Sequence, residues 1–311
     1  MKDMAAINVS NLTKYFGQLC AVNQISFSVR KGEIFGFLGP NGAGKTTIIR
    51  ILSGLTSPTS GSAKILGYDV KHHAIEARMR IGIVPEVSNL YEEYSAIDNL
   101  LFTGELYGIS RKRRIEMAGE LLHIFGLYEK RNEKVVKFSK GMKRQIVLSM
   151  ALMHEPDVLF LDEPTSGLDV HSSRKIKGII TGLREKGVTI FLTTHLMEEA
   201  NQLCDRIAII DHGKIAAIDT PEGLKGTIES VQSVEVTFSE AITIQALKDI
   251  PGVAKITGER TSFRLYTATP KVVIKGVVTF ADSKGLEIMS INTLGPTLED
   301  VFVEITEGGH R

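Results

Sequence analysis

Only two cysteines, Cys20 and Cys204, occur in 311 residues. They are too few for a disulfide framework and fall in no metal-binding spacing, so a reducing cytosol is the expected setting. Long apolar runs are missing too. No stretch reaches the ~18 to 20 residues that a bilayer crossing needs, and IVLSMALM at 146–153 has the length of a core helix. The chain is therefore not expected to span a membrane by itself. MKDMAAINVS at the start lacks the apolar stretch of a secretory signal. Neither sign of charge dominates: 37 Lys and Arg against 36 Asp and Glu leave +1, which removes the bulk-charge argument for a nucleic-acid binder. Repeats and low-complexity tracts are absent, which excludes solenoids and disordered tails. What remains is ordinary globular composition, with enough chain for about two domains, and one excess, 29 glycines.

The glycines locate the chemistry. Residues 1–38 alternate at the β period, with Ile25, Phe27 and Val29 on one face, and then change to the continuous apolar run Ile34 to Leu38. Partly exposed antiparallel strands leading into a buried strand are expected. GPNGAGKTT follows at 39–47, and Ile48, Ile49, Ile51, Leu52 and Leu55 then recur at helical spacing. A mostly helical region is expected from about 87 to 155, then buried strands DVLFLDE and VTIFLTTH around a helix near 171–186. Asp211-His212-Gly213 reads as a hairpin turn. Past Gly223 the pattern becomes β-α-β-β-α-β: a strand at 234–238, a helix near 241–250, strands near 253–259 and 262–267, a helix near 270–284 and a strand near 286–293. A closing helix is expected over 297–306. The expected domains are thus residues 1–224 and 225–311.

Gly39, Gly44, Lys45 and Thr46 satisfy the phosphate-loop pattern G-x-x-x-x-G-K-[ST]. Across Gly39, Pro40, Asn41, Gly42, Ala43, Gly44, Lys45, Thr46 and Thr47 the backbone can wrap a polyphosphate with its N–H groups inward, Lys45 reaching the β and γ phosphates and Thr46 a Mg²⁺ ion. Val158 to Leu161 form an apolar strand ending in Asp162 and Glu163. Carboxylates at the carboxyl end of a parallel strand lie beside such a loop, which fits Asp162 to the Mg²⁺ shell and Glu163 to polarising a water as general base. Ser139 reads as a helix N-cap. Tyr15 read alone is a strand aromatic, and His195 read alone is a strand-end histidine. His72-His73 has no third ligand in view and reads as a polar surface pair.

Taken together, these motifs resemble the ATP-binding cassette (ABC) ATPases, over residues 1 to about 224. FSKGMKRQ at 138–145 is similar to the family's signature, SGLD at 166–169 to its D-loop, His195 to its switch histidine, and Tyr15 in TKYFG to the aromatic that stacks on adenine. KGM and PTLEDVF at 296–302 resemble the drug- and sodium-exporter branch. The resemblance implies an α/β P-loop NTPase fold with antiparallel β and helical subdomains, while the β-α-β-β-α-β order of residues 225–311 reads as an α+β ferredoxin-like domain. The resemblance also implies ATP and Mg²⁺ as cofactors, a homodimer in which Ser139 and Gly141 face the γ-phosphate held by the second cassette, and a separate membrane permease holding the chain at the inner face of the cell membrane. The coupling surface would lie near residues 86–110.

Three positions depart from the family pattern. Glu86 stands where a Gln usually offers Mg²⁺ an oxygen, and Lys140 and Met142 replace Gly and Gln in the signature. The competing readings are a cassette acting on nucleic acid or ribosomes, for which the paired cassettes or long insertions are absent, and a regulatory switch that hydrolyses little.

Overall fold

The computed structural model describes residues 5–227 and 232–308, in two compact units that divide between Thr220 and Pro221. In the first unit the chain runs β1 (Ala5–Phe16), β2 (Leu19–Arg30), β3 (Ile34–Leu38), α1 (Lys45–Leu52), β4 (Ser60–Ile65), β5 (Tyr68–Asp69), α2 (Ala74–Arg78) and β6 (Ile81–Val84). It continues through α3 (Ala96–Leu106), α4 (Arg111–Ile124), α5 (Lys140–Leu152), β7 (Val158–Asp162), α6 (Val170–Glu185), β8 (Thr189–Thr194), α7 (Met197–Leu203), β9 (Arg206–Asp211) and β10 (Lys214–Asp219). The strands form a four-stranded antiparallel sheet, β2-β1-β4-β5, and a six-stranded sheet, β10-β9-β3-β8-β7-β6.

The second sheet is parallel from β9 to β6, with β10 added antiparallel by the Asp211–Gly213 turn. Strands β3, β7 and β8 are buried at every residue, as continuous apolar runs require when both faces are covered. A phenylalanine cluster fixes how the two sheets meet: Phe27 from β2 lies 5.5 Å from Phe35 and 5.4 Å from Phe37, and Phe37 lies 5.4 Å from Phe191. The expected helical region is present as α3, α4 and α5, which share a core of their own around Leu100, Met117, Leu122 and Ile146. No helix among the described residues is long and apolar enough to cross a membrane.

The second unit holds α8 (Pro221–Gly226), β11 (Gln232–Phe238), α9 (Ile244–Leu247), β12 (Lys255–Glu259), β13 (Ser262–Thr267), α10 (Pro270–Lys284), β14 (Ile288–Leu294) and α11 (Leu298–Gly308). Its sheet is antiparallel in the order β12-β13-β11-β14, with Val234, Val236, Phe263 and Leu265 packed on Val273 and Val277 of α10. The helix expected over 241–250 is a single turn. The Ile242 N–H is drawn to the Arg260 carbonyl at 2.8 Å, which keeps the chain extended there, and Pro251 stops the other end.

One glycine sets the distance between the helical region and the parallel sheet. A Cβ built on Gly82 of β6 would lie 2.4 Å from the Ala151 carbonyl oxygen of α5. Gly82→Ala is expected to destabilise the fold by about 1–3 kcal/mol through overpacking, read as a lower urea midpoint. An unchanged midpoint would show that α5 moves away at no cost.

Candidate nucleotide site

Six residues separate the end of β3 from the start of α1, and they fold back over the helix's N-terminus. Gly44 occupies the N-cap position at φ 103°, and a Cβ there would meet the Ala21 carbonyl oxygen at 2.4 Å, so no other residue type fits. Helix α1 has no acidic residue in its first turn, which leaves its positive end facing the loop. Ile48, Ile49, Ile51 and Leu52 bury the opposite face and fix the helix against the sheet.

Lys45 is buried, its ammonium hydrogen-bonded to two backbone carbonyls and ion-paired with one carboxylate. Nζ lies 2.7 Å from the Gly39 carbonyl oxygen, 3.1 Å from that of Pro40 and 3.3 Å from Glu163 Oε1. The second oxygen of Glu163 lies 2.8 Å from His195 Nδ1. Strands β7 and β8 bring these groups together: Asp162 pairs in register with Thr193, Glu163 follows Asp162, and His195 follows Thr194. Glu163 also sits at φ +48°, a left-handed conformation rare for a side chain of its size. Its N–H donates to the Thr193 carbonyl at 3.1 Å, which helps hold that turn. Asp162 is buried behind it and accepts a hydrogen bond from the Thr193 hydroxyl.

These groups open into a cavity of about 770 Å³. Of the residues expected from sequence, Asn41, Gly42, Gly44, Lys45, Thr46, Thr47, Glu86, Glu163 and His195 line it. Gly39 and Pro40 contribute the carbonyls that clasp Lys45, and Ala43 is buried beneath the loop. Glu86 therefore brings its carboxylate into the same cavity as Glu163. Ser139 and Gly141 are not among the lining residues of their own chain. Ser139 caps α5, accepting from the Met142 N–H at 3.3 Å, and Gly141 packs against Ser172.

Tyr15 was expected on the adenine side, and the cavity is lined by its neighbour instead. Tyr15 is absent from the lining and Phe16 is present, with Leu19, Cys20 and Ala21 beside it. Successive side chains on a strand point to opposite faces, so the neighbouring aromatic takes the cavity side. Ser166, His212 and Gly213 also line the cavity and were not anticipated. The hairpin turn carries the last two, and the Gly213 N–H donates to the Ala43 carbonyl at 3.1 Å, which ties that turn to the phosphate loop.

A further residue that motif reading passed over is Arg144. It is 4% exposed and donates to four backbone carbonyls, those of Pro164 at 3.0 Å, Asp162 at 3.2 Å, Glu163 at 2.6 Å and Pro85. Burial pulls the guanidinium pKa down, while the carboxylates of Asp162, Glu86, Glu199 and Glu163 act to raise it. The signal was in the sequence: Gly141, Arg144, Leu148 and Leu152 share one face of α5, so the helical period puts a cation on the apolar side.

The two aromatics give a direct test of which one serves a base. Phe16→Ala is expected to weaken ATP binding about 5- to 150-fold, the equivalent of the ~1–3 kcal/mol that base stacking on a ring contributes. Tyr15→Ala is expected to stay within about twofold. Titration with a fluorescent ATP analogue measures both, and the reverse order would restore Tyr15.

The family model described as ABC transporter matches residues 22–166. The linearmycin resistance ATP-binding protein LnrL of Bacillus subtilis (strain 168) is 36% identical over 305 residues, covering 96% of this chain and 98% of its own. The Nod factor export ATP-binding protein I of Rhizobium sp. (strain N33) is 38% identical over 301 residues, covering 97% of each. Among solved structures, an ATP-binding subunit of an ABC transporter is 29% identical with a TM-score of 0.66, covering 72% of this chain and 93% of its own. The dimeric post-hydrolysis structure of the cassette MJ0796, bound to ADP and Pi, is 25% identical with a TM-score of 0.63, covering 69% of this chain and 98% of its own. With a phosphate loop, a paired carboxylate and histidine, and relatives matched along nearly its whole length, the chain belongs to the ABC transporter family as an ATP-binding and ATP-hydrolysing subunit.

Proposed function

We propose that this chain is the motor of an exporter, working as a dimer of two copies on a separate membrane permease. The observation that carries the reading is the convergence of Lys45, Glu163, His195 and Glu86 on one cavity beside the N-terminus of α1. The names of the two curated relatives, one for linearmycin resistance and one for Nod factor export, support the direction of transport. The dimeric structure of MJ0796 supports the assembly.

In this reading the phosphates of ATP lie on the loop at 39–47 and on Lys45, with the adenine against Phe16. Glu163 takes a proton from the attacking water, and His195 holds the Glu163 carboxylate and reaches the γ-phosphate. The donors fit a hard cation: the Thr46 hydroxyl and the Glu86 carboxylate are oxygen ligands on the cavity wall, and Asp162 lies behind it to act through water. Bound Mg²⁺ would neutralise phosphate charge. Glu86 adds a negative charge that a Gln would not, and this crowding opposes closure. Ser139 and Gly141, at the positive end of α5, face the γ-phosphate of the second copy.

The permease docks on the helical region. A hollow of about 500 Å³ there is lined by Tyr94, Asp98, Leu101, Phe102, Arg111 and Arg114, a mixture of rings and charges suited to a short polypeptide segment. That contact keeps the chain at the inner face of the membrane, and nucleic acid plays no part.

Glu163→Gln is expected to lower ATP turnover by ~10²- to 10⁴-fold while ATP still binds. With ATP, the same variant should run as a dimer near twice the 34.1 kDa of one chain. Adding Ser139→Arg should return the monomer, because its bulk occupies the space the partner's γ-phosphate needs. Light scattering reads all three states, and a mass that ignores ATP would argue against the sandwich.

A further inference from the structure

Arg144 joins two places that act in different nucleotide sites. It lies on α5, whose first residue follows Ser139, and it holds the backbone that carries Glu163 and Glu86. At ~1.5 Å per residue, the five steps from Ser139 to Arg144 span about 7.5 Å of one helix. The helix is rigid over that distance: the Ser139 side chain accepts from the Met142 N–H, and the Ser139 carbonyl from the Lys143 N–H at 2.9 Å. Gly141, Arg144, Gln145, Ile146, Val147 and Leu148 are buried along it. A displacement of its first turn therefore moves Arg144.

What Arg144 grips is unusually sensitive to displacement. Glu163 sits in left-handed backbone, and such a conformation persists only where its surroundings over-determine it. Three hydrogen bonds do so: Thr193 on its N–H, and Arg144 on its carbonyl and on that of Asp162 before it. A fourth, from Arg144 to the Pro85 carbonyl, anchors the segment that presents Glu86. The guanidinium's planar fork spreads its donors, with Nη2 on the Asp162 and Glu163 carbonyls, Nη1 on that of Pro85 and Nε on that of Pro164, a reach that the single ammonium of lysine cannot match.

We propose that Arg144 is a positioning residue that transmits engagement of the partner's nucleotide at Ser139 to this chain's own Glu163 and Glu86. The inference rests on the sandwich reading above and adds a direction to it: the nucleotide in one site sets the base in the other.

A double-mutant cycle in the full-length protein tests it, with ATP turnover and ATP affinity measured separately. Ser139→Ala alone and Arg144→Lys alone should each lower turnover, and Arg144→Lys should leave ATP affinity within about twofold, because Arg144 neither lines the cavity nor touches the phosphate loop. The double variant should turn over more than about threefold faster than the product of the two losses, since a path already cut cannot be cut again. Arg144→Gln, which keeps two amide donors, replaces the lysine variant if that protein does not melt cooperatively. Losses that multiply within about twofold, or an ATP affinity of Arg144→Lys that falls in step with its turnover, would reduce Arg144 to a structural strut and overturn the inference. A Glu163→Gln protein that stays monomeric with ATP would instead overturn the sandwich reading, and the inference with it.

Discussion

Burying a lysine is costly unless its ammonium meets acceptors and an opposite charge, and the site is arranged around Lys45 in that way. Two acceptors are carbonyls of the phosphate loop, so the ammonium holds the loop's shape. Its ion-pair partner is Glu163, 3.3 Å away, so the same ammonium also holds the carboxylate proposed as the base. ATP phosphates are stronger anions that seek the same cation. On the proposed reading their arrival would draw Lys45 off Glu163 and leave that carboxylate with His195, 2.8 Å away, as its partner. Binding and the readiness of the base are in this way linked through one side chain.

That linkage needs the loop and the carboxylates at one edge of one sheet, and the strand order supplies it. β3 lies between β8 and β9, with β7 next to β8, all parallel, so the phosphate loop after β3, Glu163 after β7 and His195 after β8 leave the sheet at the same end. The Gly39 N–H donates to the Thr194 carbonyl at 3.3 Å, which joins the loop to the strand that carries the histidine. The phenylalanine cluster holds the strands in this register from below, and Arg144 holds their carboxyl ends from the helical side.

Short-range patterns were legible and long-range ones were not. The phosphate loop, the apolar strand before Asp162 and Glu163, and the Ser139 cap are set by neighbours within a few residues, and each stands where its sequence put it. Which of two adjacent aromatics faces the cavity was not legible because β1 is irregular: its pairing with β2 shifts between Leu12 and Lys14 and again between Lys14 and Tyr15. Each shift breaks the alternation of faces, so sequence counting cannot tell Tyr15 from Phe16. Arg144 was visible as a cation on an apolar helix face, but its acceptors come from Pro85 and from residues 162–164, contacts that only the fold brings together. In the second unit, the expected helix over 241–250 shrank to four residues for the same reason, a cross-strand hydrogen bond from Ile242 overriding local preference.

The most direct test of the Lys45 account is ADP affinity without Mg²⁺, measured by calorimetry on the wild-type protein and on Glu163→Gln. Hydrolysis and metal chemistry are then out of the comparison, and the substitution changes charge with almost no change in shape. If Glu163 competes with phosphate for Lys45, the variant binds ADP about tenfold more tightly, equivalent to ~1.4 kcal/mol. Equal or weaker binding would mean that the Lys45 and Glu163 pair does not oppose the nucleotide, and would contradict the account.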